Sequence, residues 1–459
     1  MDRQPNRHQE KLQVGELHKV VVDGLTHDGE GVGHLKKLAV FVPEGIPGDE
    51  VLIRIISTKK NYARGLIEEI IKPSPQRIQP VCLLAGECGG CQLQHMNYQS
   101  QLYWKVRQVE DAIGRIAKLT VPIRGIIGME QPFEYRNKAQ FPLGMIDNQL
   151  VMGFFRKRTH DIVDLDQCKI QHSLTMKLSL AIKTIMQELN ILPYDERTKQ
   201  GDMRHVVSRI SFTRSELMVV FVTNSRRIPA EQELIRELTK QVPELISIAH
   251  NINNRTTNAI FGPKTKILWG EPYLVDQIGG LKFAISPRSF FQVNPIQTKV
   301  LYEQVKEGAA LTGAETIWDL YCGIGTIGLY LADMAKAVYG VEVIPEAVDD
   351  GNYNANLNGI RHASFHCGKA EDVVPRLVKQ GAHVDVVLLD PPRKGCDPAL
   401  LATIARLQVP KLVYVSCNPS SLARDLLYLT AQGYRVDYIQ PVDMFPMTSH
   451  VECVVVLNS

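Results

Sequence analysis

The chain lacks any run approaching the roughly 18 apolar residues that a membrane span requires. Its first ten residues, Met1-Asp-Arg-Gln-Pro-Asn-Arg-His-Gln-Glu10, contain no apolar stretch that could serve as a secretory leader. Together these absences point to a cytoplasmic chain with no membrane partner. An excess of one charge is also missing, since 52 Lys and Arg stand against 49 Asp and Glu, a net charge of +3. Any contact with nucleic acid must therefore rest on local basic patches. Cysteine is limited to 9 of 459 residues, and in a long cytoplasmic chain that number favours metal binding or catalysis over a disulfide framework. Such a length calls for two or three domains in what is expected to be a monomer.

Residues 10–71 read as the first domain. Short strand-like runs at Val20 to Val22, Ala39 to Val42, Val51 to Ile56 and Leu66 to Ile71 alternate with turn signals at Asp28-Gly29, Gly31, Gly33, Pro47-Gly48 and Asn61. Four or five strands in so short a segment predict a small OB-like barrel, a fold that often shows RNA a basic, loop-rich face. Arg54, Lys59, Lys60 and Arg64 are the candidates for that face, unless they are only solvated charges. The glycine and strand pattern resembles the TRAM domain of RNA-modifying enzymes.

The stiff linker Lys72-Pro-Ser-Pro75 opens a second segment, 72–280, expected to be α+β. Cys82, Cys88 and Cys91 fall within ten residues, and Gly89-Gly90 lets the backbone turn sharply enough to wrap thiolates around a metal. Cys168 is the nearest further cysteine with no other evident role. Four thiolates suit tetrahedral zinc or an iron-sulfur cluster, and spacing does not separate the two. The spacing is not the Cys-x3-Cys-x2-Cys of radical enzymes. A helix is predicted over Tyr103 to Leu119, with Trp104, Val109, Ile113 and Ile116 on one side. In Glu134-Tyr-Arg-Asn-Lys-Ala-Gln140, Arg136 and Lys138 are candidate RNA contacts, because cations and amides together can hold phosphates and a base edge. A solvated strand with one buried tyrosine explains the same pattern. Arg156, Lys157, Arg158 and His160 form a second basic cluster with the same two readings.

Residues 281–459 alternate strands with helices, the pattern of a Rossmann-like doubly wound α/β sheet. Gly323, Gly325 and Gly328 follow a strand and satisfy GxGxxG, a weak nucleotide signal on its own. Glu342, at the end of the next strand, can accept both ribose hydroxyls of an adenosine cofactor, which leaves NAD and S-adenosylmethionine open. Strand ends in such sheets converge, so Asp319, Glu342, Asp390 and Cys417 should face one crevice. Cys417 lies just before a helix that Asn418 can cap and Pro419 can start, and the helix dipole should lower its thiol pKa. The alternative is a buried structural cysteine. A cysteine beside such a cofactor has a use if the target is an unreactive carbon such as C5 of uracil. Thiolate addition to C6 makes C5 nucleophilic, and loss of the C5 proton after methylation expels the cysteine. That scheme needs a separate base, for which Glu452 is the candidate and His450 the weaker one.

Phe290-Phe-Gln-Val-Asn294, Asp319-Leu-Tyr-Cys-Gly-Ile-Gly325, Asp390-Pro-Pro-Arg-Lys-Gly395, Ser416-Cys-Asn-Pro419 and His450-Val-Glu452 closely resemble the RNA uracil-5-methyltransferases. The four cysteines and the N-terminal barrel resemble the 23S rRNA type in particular, over essentially the whole chain. The resemblance implies a [4Fe-4S] cluster on Cys82, Cys88, Cys91 and Cys168. It further implies that Gln292, Tyr321, Gly323, Gly325, Glu342 and Asp390 line the S-adenosylmethionine site, that Cys417 is the nucleophile, and that Glu452 and Asp390 complete the catalytic set. Thr326 departs from relatives that carry Asn there. Rival readings are a uracil-5-methyltransferase acting on tRNA, an amino-group methyltransferase and a non-catalytic RNA-binding protein. The amino-group enzymes usually place an aromatic where Arg393 stands and have no need of Cys417.

Overall fold

The computed structural model describes residues 12–459; the polar Met1–Glu10 stretch and the start of the 10–71 segment lie outside the described residues. The chain divides into two compact units. The first takes the residues up to Gly86 with Cys91–Gln108 and Met447–His450, and the second takes Glu87–Gly90, Val109–Pro446 and Val451–Ser459. No helix among the described residues is long and apolar enough to cross a membrane.

In the first unit, strands Leu17–Leu25, Gly31–Leu35, Leu38–Val42, Glu50–Thr58 and Tyr62–Lys72 close into the expected barrel. Their period-2 alternation sends Val20, Val22, Val40, Val42, Val51, Ile53, Ile55 and Ala63 inward to a shared core. Strand Leu38–Val42 runs parallel to Tyr62–Lys72, with Ala39 opposite Tyr62. The hairpin turn Lys36-Lys37 and the turn Lys59-Lys60-Asn61 consequently precede neighbouring strands and emerge at the same rim. Elsewhere in this unit the backbone amides of Gln92 and Leu93 donate to Met447 O at 3.1 and 3.0 Å, and Met447 N donates to the buried Gln101 side chain at 3.1 Å.

The second unit contains two seven-stranded sheets, one built from strands within residues 138–270 and the other from strands within residues 316–458. One sheet, running from Lys264–Gly270 at one edge to Ile162–Asp164 at the other, is antiparallel except where Leu217–Thr223 and Leu245–Ile252 pair in parallel around helix Glu231–Gln241. The other sheet has the order Ala363–Cys367, Ala337–Glu342, Thr316–Leu320, Val386–Leu389, Lys411–Ser416, Glu452–Asn458, Arg435–Val442. Its first five strands are parallel, and Val386–Leu389 is a wholly apolar buried run, as a strand covered on both faces requires. Glu452–Asn458 inserts antiparallel between its two neighbours. Strand order reverses between Thr316–Leu320 and Val386–Leu389, and a crevice opens at the carboxyl ends of strands at such a switch point.

The helix expected over 103–119 begins earlier, as Tyr98–Ala112, and ends in a wider turn, Ile113–Ala117, closed by Lys118 at φ 55°. Val109 and Ile113 are buried as expected, whereas Ile116 is exposed.

Candidate active site

Four parallel strands deliver their last residues to the switch-point crevice. Thr316–Leu320 runs into Tyr321 and the glycine turn, Ala337–Glu342 ends on Glu342, Val386–Leu389 on Asp390 and Lys411–Ser416 on Cys417. In the antiparallel pair Ser416 stands opposite Cys453, so the following Cys417 comes near Glu452. The charge of Glu452 acts on the Cys417 thiol, in keeping with that proximity. The two candidate residues, Cys417 and Glu452, are thus brought close by a strand register that the local sequence pattern does not reveal.

The glycine turn is shaped for a ligand. Gly325 has φ 81°, and a Cβ there would meet the Phe365 ring at 2.4 Å, so no other residue fits. Gly323 has φ 56° and open space where a Cβ would be. Its amide donates to Glu342 Oε2 at 3.1 Å, while Val343 N and Ile344 N donate to Oε1 at 2.7 and 3.0 Å. These bonds hold the Glu342 carboxylate over the turn with lone pairs left for further donors. Asp319 is fully buried; Oδ2 accepts from Gly328 N at 2.8 Å, and Oδ1 has no hydrogen-bond partner. A buried carboxylate oxygen without a donor is costly, and a cationic ligand in the crevice would satisfy it. Burial raises the Asp319 carboxyl to about 7, with Glu342 adding to the rise. Asp390 is raised to about 7 by burial and by Asp319. An orphaned acceptor, adjoining carboxylates and an open glycine turn fit S-adenosylmethionine, whose sulfonium is positive and whose ribose needs acceptors. Tyr321 adopts φ 69°, unusual for a non-glycine residue, and its hydroxyl accepts from Asp397 N at 3.2 Å. The Thr326 hydroxyl is paired with the buried Tyr302 hydroxyl at 2.7 Å.

Cys417 departs from expectation. Asn418 does cap helix Pro419–Ala431, accepting from Ser420 N at 3.0 Å, yet the thiol is pushed up to about 12 rather than down. Burial is the main cause, followed by the negative charges of Glu452 and Asp390; only Arg393 among the charged neighbours opposes them. Burial and two carboxylates outweigh a helix terminus whose effect is under about 2 kcal/mol. Glu452 is itself buried and raised well above the usual carboxylate range, by desolvation and by Asp390, with Arg393 again opposing. His450 belongs to the first unit, whereas Glu452 shares the second with Cys417.

Gln292 is buried, and its loop is fixed by the Glu134–Gln140 stretch. Asn137 Nδ2 donates to Gln292 O and Asn137 N to Val293 O, both at 2.9 Å. Tyr135 is buried with its hydroxyl on Pro446 O at 2.9 Å. The motif read as an RNA contact therefore turns two of its residues inward as scaffold. Lys138, opposite Arg209 in the sheet, is only partly exposed, and desolvation with the Arg209 charge lowers its amine to about 7. Asn137 escapes sequence reasoning as a site-positioning residue because its partner is 155 positions away.

The four cysteines expected to hold a metal are divided between the two compact units. Cys82 and Cys91 fall in the first unit and Cys88 and Cys168 in the second, and among the described residues no three or more His, Cys, Asp or Glu side chains come together as a metal site. Locally, Cys82 N donates to Gln94 Oε1 at 3.2 Å, and Cys88 Sγ accepts from Gly90 N at 3.4 Å.

Comparison with known proteins covers the whole chain. The family model described as tRNA (Uracil-5-)-methyltransferase matches residues 97–459, and that of the TRAM domain matches residues 11–67. A protein of Halalkalibacterium halodurans described as an uncharacterized RNA methyltransferase is 48% identical over 454 residues, covering 99% of each chain. One of Listeria innocua with the same description is 47% identical over 447 residues, covering 97% of this chain and 98% of its own. Among solved structures, the Pyrococcus abyssi tRNA (uracil-54, C5)-methyltransferase in complex with S-adenosyl-L-homocysteine superposes with a TM-score of 0.76 at 29% identity, over 96% of this chain and 100% of that one.

Proposed function

This chain belongs to the tRNA (uracil-5-)-methyltransferase family, and from that premise we propose that it methylates C5 of uridine in RNA through a covalent adduct on Cys417. The observation that carries the reading is the register that pairs Ser416 with Cys453, which brings the following Cys417 within the charge of Glu452 and Asp390. S-adenosylmethionine would be held by Asp319, Tyr321, Glu342, Asp390 and Gln292, and supplies the electrophilic methyl group. The Cys417 thiolate adds to C6, and the electron pair of the C5–C6 double bond moves onto the C5–C4 carbonyl system. C5 then takes the methyl group as the methyl–sulfur bond breaks, its electron pair staying on sulfur to leave neutral S-adenosylhomocysteine. Glu452 accepts the C5 proton, the double bond re-forms and the carbon–sulfur bond breaks. A carboxyl of raised proton affinity is suited to that last transfer. RNA carrying 5-fluorouridine should trap the adduct, because fluorine cannot leave C5 as a proton. An active enzyme that gives no trapped adduct would refute the covalent scheme.

The RNA class proposed is 23S rRNA, on the cysteine spacing and the barrel. The fold of the P. abyssi tRNA enzyme supports tRNA as the second reading. Mapping 5-methyluridine in both RNAs from a strain lacking the protein decides between them. A [4Fe-4S] cluster on Cys82, Cys88, Cys91 and Cys168 is proposed from the family resemblance, since their spacing suits zinc equally, and no step above depends on it. Iron and acid-labile sulfide in anaerobically purified protein test it; zinc or no metal would overturn it.

Two of the four barrel cations read from the sequence are neutralised, Arg54 by Glu68 at 2.8 Å and Arg64 by Glu30 at 2.9 Å. The parallel strand register instead joins Lys37 to Lys59 and Lys60 at one rim, beside the Phe41–Tyr62 ring pair with centroids 5.2 Å apart. Cations around an exposed aromatic suit single-stranded RNA.

A further inference from the structure

The loop Pro391–Cys396 carries Arg393 toward Cys417 and Glu452, and helix Pro419–Ala431 grips its backbone almost residue by residue. Arg393 O accepts from Asn418 Nδ2 and from Ser421 Oγ, both at 3.0 Å. Lys394 O accepts from Arg424 Nη2 at 2.9 Å, and Cys396 N donates to Asp425 Oδ2 at 2.8 Å. Between them Gly395 sits at φ 82°, where a Cβ would come within 2.4 Å of Arg424 Nη2 and 2.6 Å of Asp425 Oδ2. Loop and helix are thus pressed together at the one residue that has no side chain.

Asp425 is the hub of this contact. It is 1% exposed and lies on the second turn of the helix that begins two residues after Cys417. Besides Cys396 N, its Oδ2 accepts from the buried Tyr414 hydroxyl at 2.7 Å, and its Oδ1 accepts from Arg424 Nε at 2.9 Å and Nη2 at 2.6 Å. Tyr414 lies on the strand that leads to Cys417. One carboxylate therefore ties together the nucleophile's strand, the nucleophile's helix and the loop that holds the cation acting on the thiol.

We propose that Asp425, with Arg424, is a positioning residue that fixes Arg393 against Cys417 and Glu452, so that the guanidinium meets the charge developed there during the reaction. The proposal rests on the assignment of Cys417 as nucleophile, but its first readout needs neither RNA nor methyl transfer. The groups facing Cys417 are Glu452, Asp390, Arg393 and Cys453. Alkylation of Cys417 by iodoacetamide, followed by peptide mass spectrometry from pH 7 to 11, reads the balance among them. R393A should slow alkylation several-fold at pH 9 to 10. D425N should slow it by the same factor, and the D425N/R393A double variant should be no slower than either.

If D425N fails to fold, R424A and S421A remove single clamps and should each give part of the effect. In turnover, D425N should lose about 10- to 100-fold in kcat, the size of effect that follows displacement of a reacting group. The KM for S-adenosylmethionine should stay constant. An unchanged alkylation profile in variants that fold, or additive losses in the double variant, would reduce Asp425 to a purely structural residue. The expected alkylation differences with no methyl transfer to any RNA would instead count against the function proposed above and leave the positioning role standing.

Discussion

Cys417 follows directly on Ser416, which pairs with Cys453, and so lies near Glu452 at the start of the neighbouring antiparallel strand. Glu452 adds to the rise of the Cys417 thiol, and both are pressed by Asp390. On the covalent scheme proposed above, a thiol raised in this way would react only once positive charge joins the crevice.

The first prediction concerns that thiol. Wild-type Cys417 should resist iodoacetamide at pH 7 to 8, with the alkylation rate still rising at pH 11, in keeping with a pKa of about 12. E452Q removes a negative neighbour and should accelerate alkylation at pH 9 to 10, although it blocks product release. Half-maximal alkylation near pH 8 in the wild type would contradict the burial argument.

C417A should abolish methyl transfer while leaving S-adenosylmethionine and RNA binding within about two-fold, since the side chain is small and half-buried. Isothermal titration for the cofactor and filter binding for RNA provide the check. Full activity in C417A would remove the covalent mechanism altogether.

A third prediction follows from the two buried carboxyls, Asp319 and Asp390, both raised to about 7. Between about pH 4 and 7 each binds more protons folded than unfolded. Their stabilising contribution is therefore complete below the unfolded value of about 4 and is lost as pH rises through 7. Cofactor-free protein should lose thermal stability over that range. D390N removes one such group and relieves the other, so its melting temperature should fall less with pH. A variant that tracks the wild type throughout would argue against the shifts.

G325A should be the most damaging single change in the cofactor turn, because it meets both a positive φ and the Phe365 ring at 2.4 Å. A loss of at least about 1–2 kcal/mol is expected from the backbone alone. G323A meets no atom within 4 Å, so its cost should appear mainly in cofactor affinity. Chemical denaturation and cofactor titration of the two variants separate these effects.

At the barrel rim, K37A/K59A/K60A should weaken RNA binding and reduce the salt slope by roughly 0.7 for each single-strand phosphate that is no longer neutralised. R54A, whose guanidinium is already paired with Glu68, should change neither. Equal effects from the two variants would show a diffuse basic surface rather than a rim.

The sequence by itself determined the barrel, the doubly wound sheet and the crevice residues, because those signals are local. Period-2 alternation writes the barrel strands, and Asp319, the glycine turn, Glu342, Asp390 and Cys417 each sit at the end of an apolar run. Tertiary structure decided what each residue does there. Whether a helix terminus or burial governs Cys417 depends on Glu452 and Asp390, which arrive from other strands. Whether Arg54 and Arg64 are available depends on Glu68 and Glu30, and the joining of Lys37 to Lys59 and Lys60 depends on a parallel strand pairing. Asn137 and Asp425 carry no motif of their own, since their roles lie in hydrogen bonds to backbone that only folding brings within reach. Pattern along the chain fixes which groups are present, whereas charge, desolvation and register are properties of neighbours in space.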